Sequence, residues 1–244
     1  MKIRVTRSLF DRIPGLCIGI VAVRAADNAV VNREAEAFRR RCCTEANLLL
    51  KMDPALAETE LETYRKMLAA GGATGGRTAV EKVFAEYRER LGISLAEDAP
   101  EDPEILSQPK KATLDELAGS DALPPVNPIM DIIRGGMLKF HVEIHAYDMG
   151  NRKTPLEIRE AGRTFSVNLG DKVCTADWLC DEEEAGAVTQ DTENILVLIT
   201  GMKENRRKVA AARNELARRM KSAFDRAVEV GWLEGKEMEF TTEI

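Results

Sequence analysis

One change of hydrophobic period narrows the fold class of this chain. After an opening apolar strand, the first half carries apolar residues at helical spacing. From about residue 139 they come instead in short alternating runs cut by turn residues such as Gly150-Asn151, Gly162 and Gly170-Asp171. Helices first, strands second and a long helix near the end make an α+β pattern. The expectation is a helical N-terminal half around an antiparallel-rich sheet, with a long C-terminal helix. We read one domain over residues 1–244: 1–122 mainly helical, 123–201 rich in strands, and 202–244 a basic helix and a terminal strand.

Local signals set the elements. Leu16-Cys17-Ile18-Gly19-Ile20-Val21-Ala22-Val23 reads as a buried strand. Helices are expected from Asn32 to about Leu50, from Asp53-Pro54 to about Ala70, and from Thr78 to near Gly92. Thr78 and Glu81 form a capping box for the third. Gly71 to Gly76 is a connection rather than a phosphate loop, since no Gly-Lys-Ser/Thr follows. Thr113 and Glu116 make another capping box, and Asn127-Pro128 starts a helix that the pair Gly135-Gly136 should end. Strand-like runs lie at 139–147, 155–160, 163–168, 172–176 and 194–200. A helix is expected over about 203–230, and an edge strand from Glu237 to Thr242.

Both histidines sit in Phe140-His141-Val142-Glu143-Ile144-His145-Ala146-Tyr147-Asp148. Read as a strand, this run turns Val142, Ile144 and Ala146 to the core and places His141, Glu143, His145 and Tyr147 on the other face. Two imidazoles, a carboxylate and a phenol on one face can position water, move protons or bind a polar ligand. The same alternation also suits a solvated face of an antiparallel sheet. A metal site built on His141, Glu143 and His145 would need a further ligand, and the chain has no third histidine. No metal or cofactor is expected.

No apolar run approaches the roughly 20 residues of a membrane span. Charged residues near the N-terminus interrupt any signal-peptide core, so a cytoplasmic, membrane-free protein is expected. Five cysteines without a C-x-x-C pair support neither a disulfide framework nor a zinc knuckle. The net charge of −6 argues against a general nucleic-acid coat. Residues 203–226, however, hold nine Lys/Arg against three Asp/Glu. Such a segment is either a solvated helix with its own ion pairs or a face that docks a folded nucleic acid.

Several stretches, in order, carry a resemblance. Leu123-Pro124-Pro125-Val126-Asn127-Pro128-Ile129-Met130-Asp131 resembles "L-P-x-I-N-P-L-V-D". His145-Ala146-Tyr147-Asp148 resembles "H/G-A-Y/F-D". Gly170-Asp171-Lys172-Val173 with Ala176-Asp177 resembles "G-E-V-V-Y-A-D". Val188-Thr189-Gln190-Asp191-Thr192-Glu193-Asn194-Ile195-Leu196 resembles "V-T-E-D-T-K-N-V-L". Upstream, Phe84 to Arg88 and Leu91-Gly92 are similar to "W-R-x-x-Y-x-x-x-G". These are motifs of the B3/B4-type tRNA-editing domain of the bacterial phenylalanyl-tRNA synthetase beta chain, which also exists as stand-alone proteins.

The resemblance implies an aminoacyl-tRNA deacylase that hydrolyses the ester of a finished, mischarged tRNA. The partner is then tRNA, with no DNA and no membrane. His145 falls on the family's histidine at the editing pocket, Arg134 where asparagine is usual, and Thr200 where the synthetase has a pocket glutamate. These three are the catalytic candidates. Glu143, His141, Tyr147, Asp131, Asn127 and Asp181 are the substrate-binding candidates. Arg206, Arg207, Arg213, Arg218 and Arg219 are the tRNA-binding ones. Glu143 stands where proline is common, and Asp181 to Glu184 replace an aromatic and basic hairpin. That added negative charge favours a cationic aminoacyl group, with canavanine on the arginine tRNA the favoured substrate. The alternatives are tyrosyl-tRNA of the phenylalanine acceptor, or a tRNA-binding module without turnover.

Overall fold

The computed structural model describes residues 1–52, 54–72, 76–91, 123–150, 154–178 and 187–242. Among them the helices are α1 (Arg7–Arg12), α2 (Arg33–Met52), α3 (Pro54–Gly71), α4 (Ala79–Leu91), α5 (Pro128–Phe140) and α6 (Arg206–Phe224). The strands are β1 (Lys2–Val5), β2 (Leu16–Val23), β3 (Glu143–Asp148), β4 (Leu156–Ala161), β5 (Thr164–Leu169), β6 (Lys172–Thr175), β7 (Ile195–Met202), β8 (Val228–Glu234) and β9 (Glu239–Thr241). The fold is α+β, with two sheets where the sequence led us to expect one.

The first sheet has the order β6-β5-β4-β1-β9 and the second β3-β7-β2-β8. Only β1 with β4 is parallel; the other strand pairs are antiparallel. The eight residues of β2 are all buried, as a Val/Ile-rich run between two neighbours must be. Side chains alternate, so each face of the second sheet has its own cover. On one face, Gly19 meets Arg213 of α6, and Ile144 meets Gly136 of α5. On the other, Gly231 meets Phe240 of β9.

The helix starts follow their signals. Asn127 caps α5 by accepting from Met130 N at 2.9 Å, and Pro128 takes the first helical position. Thr78 and Glu81 form their capping box: Thr78 N donates to Glu81 Oε2 at 3.0 Å, and Glu81 N to Thr78 Oγ1 at 3.3 Å. Two expectations are corrected. Gly135-Gly136 does not end α5, which continues to Phe140 and closes on His141 in the left-handed region (φ 53°). The glycines serve packing instead. A Cβ on Gly135 would lie 3.3 Å from Arg39 Cα, and one on Gly136 2.8 Å from Leu216 Cδ1. The basic helix stops at Phe224, capped by Asp225 at φ 50°, and residues 228–234 form a strand. Residues 2–12 add a strand and a short helix that carried no clear period. The capping box at Thr113 lies outside the described residues.

Candidate functional site

Glu143, His145 and Tyr147 share one face of β3, and Thr200 of β7 pairs directly with Glu143. All four are buried rather than solvated, so the face is not the wet side of a sheet. Glu143, fully buried, accepts Ala79 N at 2.8 Å on Oε1 and Val80 N at 3.1 Å on Oε2. These are two of the unpaired donors in the first turn of α4, where the helix dipole also favours an anion. Glu143 therefore ties α4 to the edge of the second sheet. Its Oε1 also lies 2.9 Å from His145 Nε2, an ion-pair distance. The His145 and Tyr147 rings stack at 6.5 Å with 19° between planes. Thr200 Oγ1 is buried and has no hydrogen-bond partner among the described residues. A buried hydroxyl in that state keeps full capacity for a water or a ligand atom.

His141 does not join them. As the left-handed cap of α5 it leaves the strand alternation, and its ring meets Phe84 edge-on at 5.1 Å. The expected pair of imidazoles on one face is thus a single imidazole. Among the described residues, no group of three His, Cys, Asp or Glu side chains is placed to hold a metal ion.

Arg134 lies on the opposite side of β3. Its Nη1 donates to Pro124 O at 3.1 Å, and its Nη2 pairs with Glu86. The pair borders a slot of about 210 Å³ whose walls include Met137, Ile144 and Ala146. Ile144 and Ala146 alternate with Glu143, His145 and Tyr147, so β3 stands between Arg134 and the histidine face. The three catalytic candidates therefore do not converge: His145 and Thr200 do, and Arg134 does not.

Three of the five resembling stretches nevertheless meet, and Asn28, which the sequence reading missed, joins two of them. Its Nδ2 donates to Thr189 O at 2.7 Å, and its Oδ1 accepts Ile129 N at 3.0 Å. Asp148 at the end of β3 accepts Thr192 Oγ1 at 3.3 Å, and Met149 N donates to Asn194 O at 2.8 Å. Asp131 accepts Val126 N at 3.0 Å and lies 3.4 Å from Arg39 Nε. Burial pushes its carboxyl above the usual range against the pull of Val126 N and Arg39. A cleft of about 180 Å³ beside this junction is bordered by Asn28, Asn127, Asp131, Gln190, Glu36 and three valines. Those valines are Val30, Val31 and Val126, all exposed, Val31 by 82%. A second cleft of about 490 Å³ shares Asn28, Ala29 and Gln190 with it and adds Asp27, Asp191, Glu193 and Arg226. Two adjacent valines outside any periodic segment, flanked by asparagines, were the signal available for this lip.

On α6, Val209, Ala212, Leu216, Met220 and Phe224 form the buried stripe. Most of the nominated arginines are already engaged. Arg206 pairs with Glu234 at 3.0 Å and covers Trp232. Arg213 lies 5.5 Å from the centre of the same ring and donates to Gly231 O at 3.2 Å. Arg218 and Arg219 hold Glu215 at 2.6 and 3.0 Å. Lys203, Arg207, Lys208, Lys221 and Arg226 are the exposed cations of residues 203–226 besides Arg206 and Arg218. Asp181 lies outside the described residues. In comparisons, no protein-family model and no curated protein matches this chain.

Proposed function

We propose that this chain is a trans-acting aminoacyl-tRNA deacylase. The observation that carries the reading is the convergence just described. Asn127–Asp131, His145–Asp148 and Val188–Asn194, widely separated in the chain, are tied together by hydrogen bonds, the first of them and Gln190 of the last bordering one cleft. Elements that resemble an editing domain's signatures thus share one place, as parts of one site would.

In this reading a water attacks the ester carbonyl, the bond to the ribose oxygen breaks, and the proton ends on that oxygen. His145 moves the proton. Glu143 acts as a positioning residue that holds the imbalance of charge on one side of the ring. Thr200 Oγ1 offers the unused hydrogen bond that orients the water. His145 lines neither cleft; it stands three residues, about 10 Å along the strand, from Asp148, which holds Thr192. Asp27, Asp191 and Glu193 against Arg226 favour a cationic aminoacyl group, with canavanine on the arginine tRNA the favoured case. Glu143 does not supply that charge, because both its oxygens hold α4. The separation of Arg134 from His145 favours a second reading, a tRNA-binding module without turnover.

The test is loss of ester from canavanyl-tRNA and arginyl-tRNA of the arginine acceptor, and from tyrosyl-tRNA of the phenylalanine acceptor. Selective loss of the canavanyl ester is the expected result. Loss of the tyrosyl ester alone moves the specificity to the synthetase-like substrate. Binding of tRNA with no ester lost overturns catalysis and leaves the module.

A further inference from the structure

We infer that α3 is a cover on the Glu143–His145–Thr200 face, latched to α4 by Arg65 and Glu81, and that solvent and substrate reach this face only when the cover lifts. That the covered face is catalytic rests on the deacylase reading; the cover itself does not.

The need for movement comes first. Glu143, His145, Tyr147 and Thr200 are all buried, so no ester carbonyl can approach the imidazole in the closed arrangement. Two helices shut the end of the face where Glu143 and Thr200 pair. Glu143 holds the first turn of α4 through Ala79 N and Val80 N. From α3, the Tyr64 hydroxyl lies 3.4 Å from Thr200 O and accepts Asn205 Nδ2 at 2.9 Å. Arg65, the next residue, joins the two helices: its Nε donates to Glu81 Oε1 at 2.7 Å.

Of the two helices, α3 is the one that can leave. Its buried stripe is narrow, with Leu61, Tyr64 and Met67 as its large members among the described side chains. By contrast α5 buries Ile129, Ile132, Ile133, Met137 and Leu138. Elements with few buried apolar contacts are the ones that open below the global unfolding energy, and lids are drawn from them. The attachments made by Tyr64 and Arg65 are polar, so water can take their place. The Arg65 side chain is 53% exposed and that of Glu81 only 7%, so the latch is released from the solvent side. Glu81 then keeps Thr78 N, and Glu143 keeps Ala79 and Val80, so α4 stays seated. The far end of α3 is the fixed one. Gly72, at φ 90°, approaches Arg163 O so closely that a Cβ would lie 2.0 Å from it.

The experiment compares the wild type with Arg65→Ala and Tyr64→Phe. Amide hydrogen exchange follows α3 and β2, and modification by diethyl pyrocarbonate, read by peptide mass spectrometry, follows His145 and His141. In the wild type His145 should react far more slowly than free imidazole, and α3 amides should exchange ahead of β2. Arg65→Ala should speed both His145 modification and α3 exchange by about two- to fivefold, the worth of an exposed ion pair. His141 and β2 should not change, and Tyr64→Phe should act in the same direction. A wild-type His145 as reactive as free imidazole would overturn the cover. So would a rise shared equally by His141 and β2, or a His145 rate unmoved by both substitutions. Coupled access in a protein that spares every ester keeps the cover and removes the deacylase reading. Ester loss from a protein whose His145 access ignores both substitutions does the reverse.

Discussion

At the scale of single residues, Glu143 carries the most consequence. Its carboxylate closes the first turn of α4, lies at ion-pair distance from His145, and sits opposite a threonine hydroxyl with nothing to bond among the described residues. Glu143→Gln removes the charge and replaces one acceptor oxygen with a donor facing a backbone N–H. We expect a loss of about 3 kcal/mol in urea unfolding, the scale of a charged hydrogen bond removed from a buried site. Glu143→Asp keeps the charge but shortens the reach, and should lose less. Equal stability of the wild type and the Gln variant would show that α4 does not depend on this cap. The role was only half legible in the sequence. Alternation placed Glu143 beside His145, but the partner at residues 79 and 80 lies far back in the chain, and no local pattern links a strand carboxylate to a distant helix start. Asn28 was illegible for the same reason: one asparagine in a loop has no period, and its importance appears only when Thr189 and Ile129 are found on either side of it.

At the scale of elements, capping chemistry was readable where it used common residues and unreadable where it did not. Thr78 with Glu81 and Asn127 with Pro128 announced α4 and α5. Asp225, a less common left-handed cap than glycine, gave no stop signal, so the sequence reading ran the basic helix into what is β8. Gly135-Gly136 gave a stop signal that packing overrides. Gly136→Val should therefore destabilise the protein by about 3 kcal/mol in chemical denaturation, although valine suits a helix better than glycine, because Leu216 and Ile144 occupy the space. A neutral or stabilising result would mean that α5 and α6 can part at no cost. On α6, burial works against the Glu215 carboxylate, but hydrogen bonds from Arg218 and Arg219 outweigh it and hold its titration below the ordinary value of 4.5. A depressed carboxylate stabilises above the unfolded value and loses that contribution as pH falls through the folded one. Glu215→Gln should thus cost about 1 kcal/mol near neutral pH, and the difference from wild type should shrink toward zero in acid. A difference that persists unchanged at low pH would assign the effect to packing.

At the scale of the whole molecule, charge and connectivity pull in different directions. The body is acidic, while the outward cations at the start of α6, Lys203 and Arg207, face solvent. On the tRNA reading, Lys203→Glu with Arg207→Glu should weaken tRNA binding and flatten its salt dependence, by about one unit of slope for each phosphate no longer neutralised. An unchanged slope in filter-binding or anisotropy titrations would take this end of α6 out of the interface. Connectivity has a different consequence. β2, made early, lies between β7 and β8, made late, and the Met1 ammonium reaches Thr242 O at 2.9 Å. On the ribosome, an all-apolar strand must therefore wait, with both edges open, until β7 and β8 have emerged. Such late pairing slows folding and leaves the nascent chain exposed to aggregation, so its yield in a cell should depend on chaperone supply more than its final stability would imply.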